Sequence, residues 1–285
     1  VPELVPGKVV TLSPLVRRVL APNPNIMTGP GTNTYLIGTD EIAVIDPGPD
    51  DHEEHLDAVA AAGDGHIRWI LVTHTHPDHS PGAKGLKERT GAEVLGFDER
   101  DGFVPDRAIG DGAIIGDGAG RFRLRAVHTP GHASNHLCYV LDGEQVLFSG
   151  DHIMSGSTVV IGPPDGDMAT YLKSLALVAD LDVTEVFPGH GDVIADAKGK
   201  VDEYVAHRLA REAAVADLLV RSPDPLSVED LVAAIYVDVK PELHPIAQFS
   251  VWAHLRKLAA DGRARPVTGD IDELAATWVA SGTNR

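Results

Sequence analysis

The chain has 285 residues, is 43 % hydrophobic, holds one cysteine and carries a formal charge of −18, from 24 Lys and Arg against 42 Asp and Glu. That acidity works against unspecific attraction to phosphate backbones or anionic lipid, and no apolar run approaches the roughly 18 to 20 residues of a membrane span. The length allows one large domain and a small one. The N-terminus shows no charged-then-apolar leader, and the lone Cys138 leaves no intramolecular disulfide, so a cytoplasmic setting is expected.

In chain order, a turn at Gly29-Pro30-Gly31-Thr32-Asn33 leads into a strand over 34–38 and a second over 42–45, which ends at Asp46-Pro47-Gly48. A helix follows over 51–62, capped by Asp50 or Asp51. A buried strand covers 67–73, then Ser80 caps a helix reaching Arg89, and 93–96 is a short strand. Residues 98–120, rich in Asp and Gly, are expected to be irregular. Alternating Phe122, Leu124 and Ala126 make a strand, and 137–141 and 146–149 form a hairpin about Asp142-Gly143. A helix over 168–181 and a strand at 185–187 close this part. Residues 198–220 read as one amphipathic helix, broken by Ser222-Pro223-Asp224-Pro225. Three helical segments are expected beyond it, at 227–235, 246–261 and 271–281, with a wing over 262–267. The division is a catalytic domain over 1–197, a connecting helix over 198–222 and a small domain over 223–285. Strands interleaved with helices give an α/β or α+β class with layered sheets.

The chemistry concentrates where strands end. The apolar run Ile67 to Val72 runs into His74-Thr75-His76-Pro77-Asp78-His79. Alternation along extended backbone points His74 and His76 the same way, and Pro77 stops the strand and favours a turn that brings Asp78 and His79 round. Imidazole and carboxylate are ligands that suit zinc. Three more metal-competent residues follow strands and sit beside small or turn residues: His132 after Pro130-Gly131, Asp151 after Ser149-Gly150, and His190 after Pro188-Gly189. Seven candidates exceed the needs of one tetrahedral ion and suit two metals sharing a bridging group.

With this pattern the chain resembles the metallo-β-lactamase superfamily of dinuclear hydrolases over about residues 14 to 195. The resemblance implies an αββα four-layer sandwich with the metals at one edge. It implies His74, His76 and His132 as ligands of a first metal, Asp78, His79 and His190 as ligands of a second, and Asp151 as the bridging carboxylate. It also implies a metal-bridging hydroxide as nucleophile, with Asp78 orienting it, and two divalent ions, zinc first and iron or manganese as alternatives. Gly29 to Gly38 and Ile45-Asp46-Pro47-Gly48 are similar to the lactamase-beta-2-like group, itself related to glyoxalase II. Val228, Leu231, Ile235 and Tyr236, with His254, Leu255, Lys257 and Leu258, resemble that group's winged-helix domain.

Around this set, Asp46 either hydrogen-bonds a ligand histidine or only serves its turn, and His136 either supports a ligand or touches substrate. Ser155 to Thr158, Ser157 among them, either line a pocket or form a polar turn. His128 and His152 read as structural, and His52, His55, His66 and His207 as solvated. Cys138 reads as a small buried hydrophobe. The expected activity is hydrolysis of an ester, thioester or phosphodiester in a small-molecule or acyl substrate. The alternatives are a single-strand-directed endoribonuclease or a nucleic-acid-binding module led by the winged helix. Against the latter, residues 223–285 hold 9 acidic and 6 basic residues, a net of −3, where a DNA reader is expected to be basic. The apolar positions of 246–261 suit packing or a homodimer contact.

Overall fold

Residues 4–116, 121–237 and 239–282 are described by the structure, a computed structural model. They group into two units, each assembled from separated stretches of chain. The first takes the residues up to Thr129, Asn135–Val159 and Leu181–Lys200. The second takes Pro130–Ser134, Val160–Asp180 and the residues from Val201 onward.

The first unit opens with β1 (Val9–Thr11), β2 (Val16–Leu20), β3 (Asn33–Ile37) and β4 (Ile42–Ile45), continues through α1 (Glu53–Gly63), β5 (Ile67–Leu71), α2 (Gly82–Thr90) and β6 (Glu93–Gly96), and reaches β7 (Arg107–Ala108). These seven strands form one sheet in sequence order, antiparallel up to β4 and parallel from β4 to β7. A second sheet follows from β8 (Ile114–Gly116), β9 (Arg123–His128), β10 (Leu137–Leu141), β11 (Val146–Gly150) and β12 (Glu185–Pro188), in the order β12-β11-β10-β9-β8. Here only β11 and β12 are parallel.

β4 and β5 are apolar on both faces because both faces are covered. Ala43, Ile45 and Leu71 enter the core between the sheets. Ile42, Val44, Ile67 and Ile70 pack with Leu56 and Val59 of α1 and Ala83 and Leu86 of α2. Across the sheets, the Tyr35 ring lies 5.1 Å from that of Phe148 and 5.8 Å from that of Phe187. Such aromatic pairs add about 0.5–1.5 kcal/mol each beyond the area they bury. The Tyr35 hydroxyl donates to the Pro188 carbonyl at 2.8 Å, which pins the end of β12 beneath β3.

Several local expectations are corrected. β1 and β2 precede the first strand read from the sequence, and the stretch 98–120 contains β7 and β8, with 117–120 outside the described residues. α1 is capped at His52, not at Asp50 or Asp51, and α2 at Pro81, not at Ser80. Ser80 instead turns its hydroxyl to the Thr75 carbonyl at 3.3 Å.

The second unit holds α3 (Met168–Ala179), α4 (Ala197–Arg221), which enters it at Val201, β13 (Leu226–Ser227), α5 (Val228–Ile235), α6 (His244–Ala260), β14 (Ala264–Thr268) and β15 (Thr277–Ala280). α5 opens with a reciprocal cap: the Asp230 N–H donates to Ser227 Oγ at 3.1 Å, and the Ser227 N–H to Asp230 Oδ2 at 2.9 Å. The core gathers Val215, Leu219, Leu231, Val251, Trp252, Leu255 and Trp278. The helix expected over 271–281 does not form. Asp270 accepts from the backbone of Asp272 and Glu273, and the Ala276 N–H bonds to the Glu273 carbonyl at 3.1 Å, so the chain turns twice. It then enters β15, the central strand between β13 and β14. Ladder bonds on both edges favour the strand over a helical turn. Among the described residues no helix is long and apolar enough to cross a membrane.

Glu212 of α4 is the electrostatic knot of this unit. It takes Lys257 Nζ at 3.1 Å and Arg263 at 3.0 Å, with His254 Nδ1 at 3.8 Å. His254 first, and then Lys257, hold its carboxyl at a pKa of about 2, below the ordinary 4.5. A carboxylate depressed in the folded state contributes stability in full above its unfolded pKa and loses it as pH falls through the folded one. The melting temperature is therefore expected to drop between pH 5 and 2 more steeply in the wild type than in Glu212→Gln. Parallel slopes in thermal scans would refute this.

Candidate metal centre

The histidine-rich loop begins at His74, three residues past the end of β5, so His74 and His76 lie beyond the strand itself. Its entry is fixed from both sheets. The Leu137 N–H donates to the Thr73 carbonyl at 2.7 Å, and the Tyr139 hydroxyl to the Val72 carbonyl at 2.9 Å. Asp46, at the end of β4, binds the loop more firmly. Its Oδ1 accepts the Thr73 N–H at 2.8 Å, and its Oδ2 accepts the Thr73 hydroxyl at 2.8 Å and His79 Nδ1 at 2.8 Å. Asp46 itself has φ +51°, a left-handed conformation that Asp and Asn tolerate best among non-glycine residues. Of the two readings of Asp46, the geometry fits support of a ligand-competent histidine.

These bonds assign the ring tautomers. A carboxylate only accepts, so His79 Nδ1 carries the hydrogen, and in the neutral ring, the form that binds a metal, Nε2 is the lone pair. His190 Nδ1 faces the Gly31 carbonyl at 3.1 Å, which likewise leaves its Nε2 as a lone pair. Thr73 spends its proton on Asp46, so at 3.0 Å it accepts from His74 Nδ1, and His74 Nε2 is the third such lone pair.

The lone pairs converge on carboxylates. His79 Nε2 lies 3.3 Å from His190 Nε2, 3.4 Å from Asp151 Oδ1 and 3.5 Å from Asp78 Oδ2. His190 Nε2 lies 3.1 Å from Asp78 Oδ2 and 3.3 Å from Asp151 Oδ1. The possible ligand atoms of His74, His79 and Asp151 all lie within 4.8 Å of one another, as do those of Asp78, His79 and His190. His76 Nδ1 stands 3.0 Å from His74 Nε2. Buried acceptors facing acceptors call for positive charge between them, and the donor set of imidazole and carboxylate fits a divalent metal. The proton equilibria reflect the same demand. Burial disfavours charge on His79 and His190, yet the neighbouring carboxylates outweigh it, raising His79 well above the usual value and His190 to about 9. Burial likewise opposes charge on Asp151 and Asp78, and the two imidazoles overcome it and hold both carboxyls low.

Backbone approach makes this convergence possible. Gly150 has φ +47°, and a Cβ there would stand 2.6 Å from Thr73 Oγ1. Asn33 joins β3 to the His190 loop, donating from Nδ2 to the carbonyls of Pro188 at 3.0 Å and Gly191 at 2.9 Å. From the sequence Gly31 and Asn33 read only as turn residues and Thr73 only as a strand residue, because the roles of Gly31 and Asn33 depend on partners far away in the chain.

Other expected residues fall as follows. His136 is fully buried, with Nδ1 at 2.9 Å from Thr129 Oγ1, and Nε2 accepts the Asp151 N–H at 3.2 Å. Its ring lies 5.0 Å from that of His74 and is wholly buried. Ser157 is exposed on the turn after Ile153. His152 is buried, and its ring lies 6.1 Å from that of His136. His55, expected to be solvated, is buried against Thr34 Oγ1 at 2.9 Å, and burial lowers its pKa to about 4. His207, also expected in solvent, is half-buried with its pKa lowered to about 4. Cys138 is buried as expected, its thiol pushed up to about 12. His132 belongs to the second unit, where its Nδ1 bonds to the Val160 carbonyl at 2.7 Å.

Residues 27–190, more than half of the chain, match the profile of the Metallo-beta-lactamase superfamily. The chain belongs to that superfamily. Residues 227–278 match the Beta-lactamase associated winged helix domain, as the C-terminal pattern implied. This superfamily member is 34 % identical to a Drosophila melanogaster protein named Beta-lactamase-like protein 2 homolog, over 95 % of this chain and 96 % of that one. It is 35 % identical to a protein of Aspergillus chevalieri named Atrochrysone carboxyl ACP thioesterase, over 88 % of this chain and 82 % of the other. A beta-lactamase domain protein from Burkholderia ambifaria shares the fold, with a TM-score of 0.81 at 21 % identity, covering 97 % of this chain and 95 % of that one. This superfamily member is a hydrolase.

Proposed function

We propose that the protein holds two divalent metal ions, zinc by the chemistry of the donors with iron or manganese as alternatives, and hydrolyses an acyl thioester. The observation that carries this reading is the convergence of the His79 and His190 lone pairs with the carboxylates of Asp78 and Asp151. His74 and His76 extend the donor set, and His132 is included on its motif. Such ions, when bound, activate water at neutral pH and polarise the scissile carbonyl. Asp78 is the more open of the two central carboxylates, its side chain 26 % exposed against 11 % for Asp151. It accepts a hydrogen bond from the attacking water and aims that oxygen at the carbonyl carbon. The C–S bond then breaks to give a carboxylic acid and a thiol.

The thioester is favoured because relatives at 30–35 % identity carry thioesterase names. Six cations that could line a path for RNA are held in ion pairs. Arg121 pairs with Asp40, Arg123 with Asp142 at 3.0 Å, and Arg125 with the same carboxylate at 3.8 Å. Arg256 pairs with Asp272, and Lys257 and Arg263 with Glu212. A single buried cysteine suits a reducing, cytoplasmic setting.

Metal analysis of gently purified protein is expected to approach two equivalents per chain. A value of one that zinc supplementation does not raise would sink the dinuclear reading. Assayed on acyl thioesters, p-nitrophenyl esters, bis-p-nitrophenyl phosphate and single-stranded RNA, the loaded protein is expected to prefer thioesters, with little change between about 50 and 200 mM salt. RNA cleavage that collapses over that salt range would replace the thioester with the endoribonuclease.

A further inference from the structure

His132 sits in the short segment Pro130–Ser134, which the second unit holds from several sides. Ser134 donates its N–H to the Asp165 carboxylate at 2.9 Å and its hydroxyl at 2.6 Å. The Asp167 N–H donates to the Gly131 carbonyl at 2.9 Å, and the Ser174 hydroxyl to the Pro130 carbonyl at 2.7 Å. Gly131 has φ +138°, and a Cβ there would stand 2.4 Å from Tyr171 Cα, so its backbone rests directly on α3.

These contacts place the backbone, while the imidazole is held at Nδ1. A carbonyl only accepts, so the 2.7 Å bond to Val160 puts the hydrogen on Nδ1 and keeps Nε2 as a lone pair. The same peptide group carries the Ile161 N–H, which donates to Ser250 Oγ of α6 at 3.4 Å. A peptide group is planar, so anchoring its N–H fixes the direction of its carbonyl. An acceptor at the N–H also polarises the carbonyl and strengthens the bond that it accepts. Ile161 is fully buried and Ser250 is 6 % exposed, so water is a poor substitute for that hydroxyl. Next along the segment, the Phe249 side chain is 4.0 Å from the Cβ position of Gly162, seating the loop on the same helix.

We infer that Ser250 is a positioning residue for His132, acting through the Val160–Ile161 peptide group. The inference rests on the reading of His132 as a metal ligand. Partners that orient a ligand histidine are generally worth about 10- to 100-fold in metal affinity.

The test compares full-length wild type with Ser250→Ala, Ser250→Thr and His132→Ala, with zinc held by a competing colorimetric chelator. Ser250→Ala is expected to release one of two zinc equivalents about tenfold more readily. Its kcat should fall at limiting zinc and recover in excess zinc, with KM and the melting temperature near wild type. Ser250→Thr keeps an Oγ acceptor and is expected to restore the affinity. Wild-type zinc retention in Ser250→Ala, or a threonine variant as weak as alanine, overturns the inference. His132→Ala is expected to lose one equivalent outright. If it keeps both, the ligand assignment fails and the inference with it; if it loses one while Ser250→Ala is normal, the relay alone fails.

Discussion

Asp151→Ala should strip metal from the purified protein and cut kcat by more than about a thousandfold, on the scale of losing a central catalytic group. The Asp151 carboxylate lies 3.3 Å from His190 Nε2 and 3.4 Å from His79 Nε2, and it is almost completely enclosed. In the dinuclear reading it offsets the mutual repulsion of two cations, and neighbouring imidazoles do not replace negative charge. His152→Ala is the matched control, since His152 is buried one residue further along. It is expected to cost about 1–3 kcal/mol of stability while leaving metal content near wild type. Elemental analysis and turnover of both variants decide the matter, and equal loss of metal in the two would overturn the bridging role of Asp151.

Asp46→Ala should be the most damaging change outside the proposed ligands. It removes acceptors from the Thr73 N–H, the Thr73 hydroxyl and His79 Nδ1 together, in a site 1 % exposed. Each buried donor left unpaired costs about 1–3 kcal/mol, so a loss of several kcal/mol is expected, with metal affinity about 10- to 100-fold lower. Asp46→Asn separates charge from shape. Asparagine accepts the left-handed backbone, but its amide can satisfy only one side of the donor set. It should fold close to wild type and still bind metal more weakly. Thermal unfolding and chelator competition give the two readouts. Metal binding in Asp46→Asn equal to wild type would show that the carboxylate charge is dispensable.

The metal-competent residues were legible because their chemistry is local. His74, His76, Asp78 and His79 are near neighbours, and small residues beside Asp151 and His190 advertise a close approach. The work of Asp46 was visible only as two alternatives, because its partners lie 27 and 33 residues away. The Gly31 carbonyl is joined to His190 across 159 residues, and no spacing rule reveals that. The misread helix at 271–281 has a different cause. Ile271, Leu274 and Trp278 have helical spacing, but the backbone of β15 is claimed by strands on both sides, and tertiary pairing overrides so short a pattern. His55 was read as solvated along with the other helix and loop histidines, whereas its ring turns inward to Thr34.

The interleaving of the two units has a consequence for synthesis. The segment bearing His132 and the stretch 160–180 are made before the helices and wing that share their unit, which begin at residue 201. On a ribosome releasing the chain from its N-terminus, both sheets of the first unit have all their strands once β12 has emerged. The Val160–Ile161 peptide must then wait for Ser250, some ninety residues downstream by the 89-residue separation of that contact. Within the second unit, the contact that α6 makes with the 160–180 stretch is thus among the last that synthesis permits, available only after every strand of both sheets of the first unit has been made.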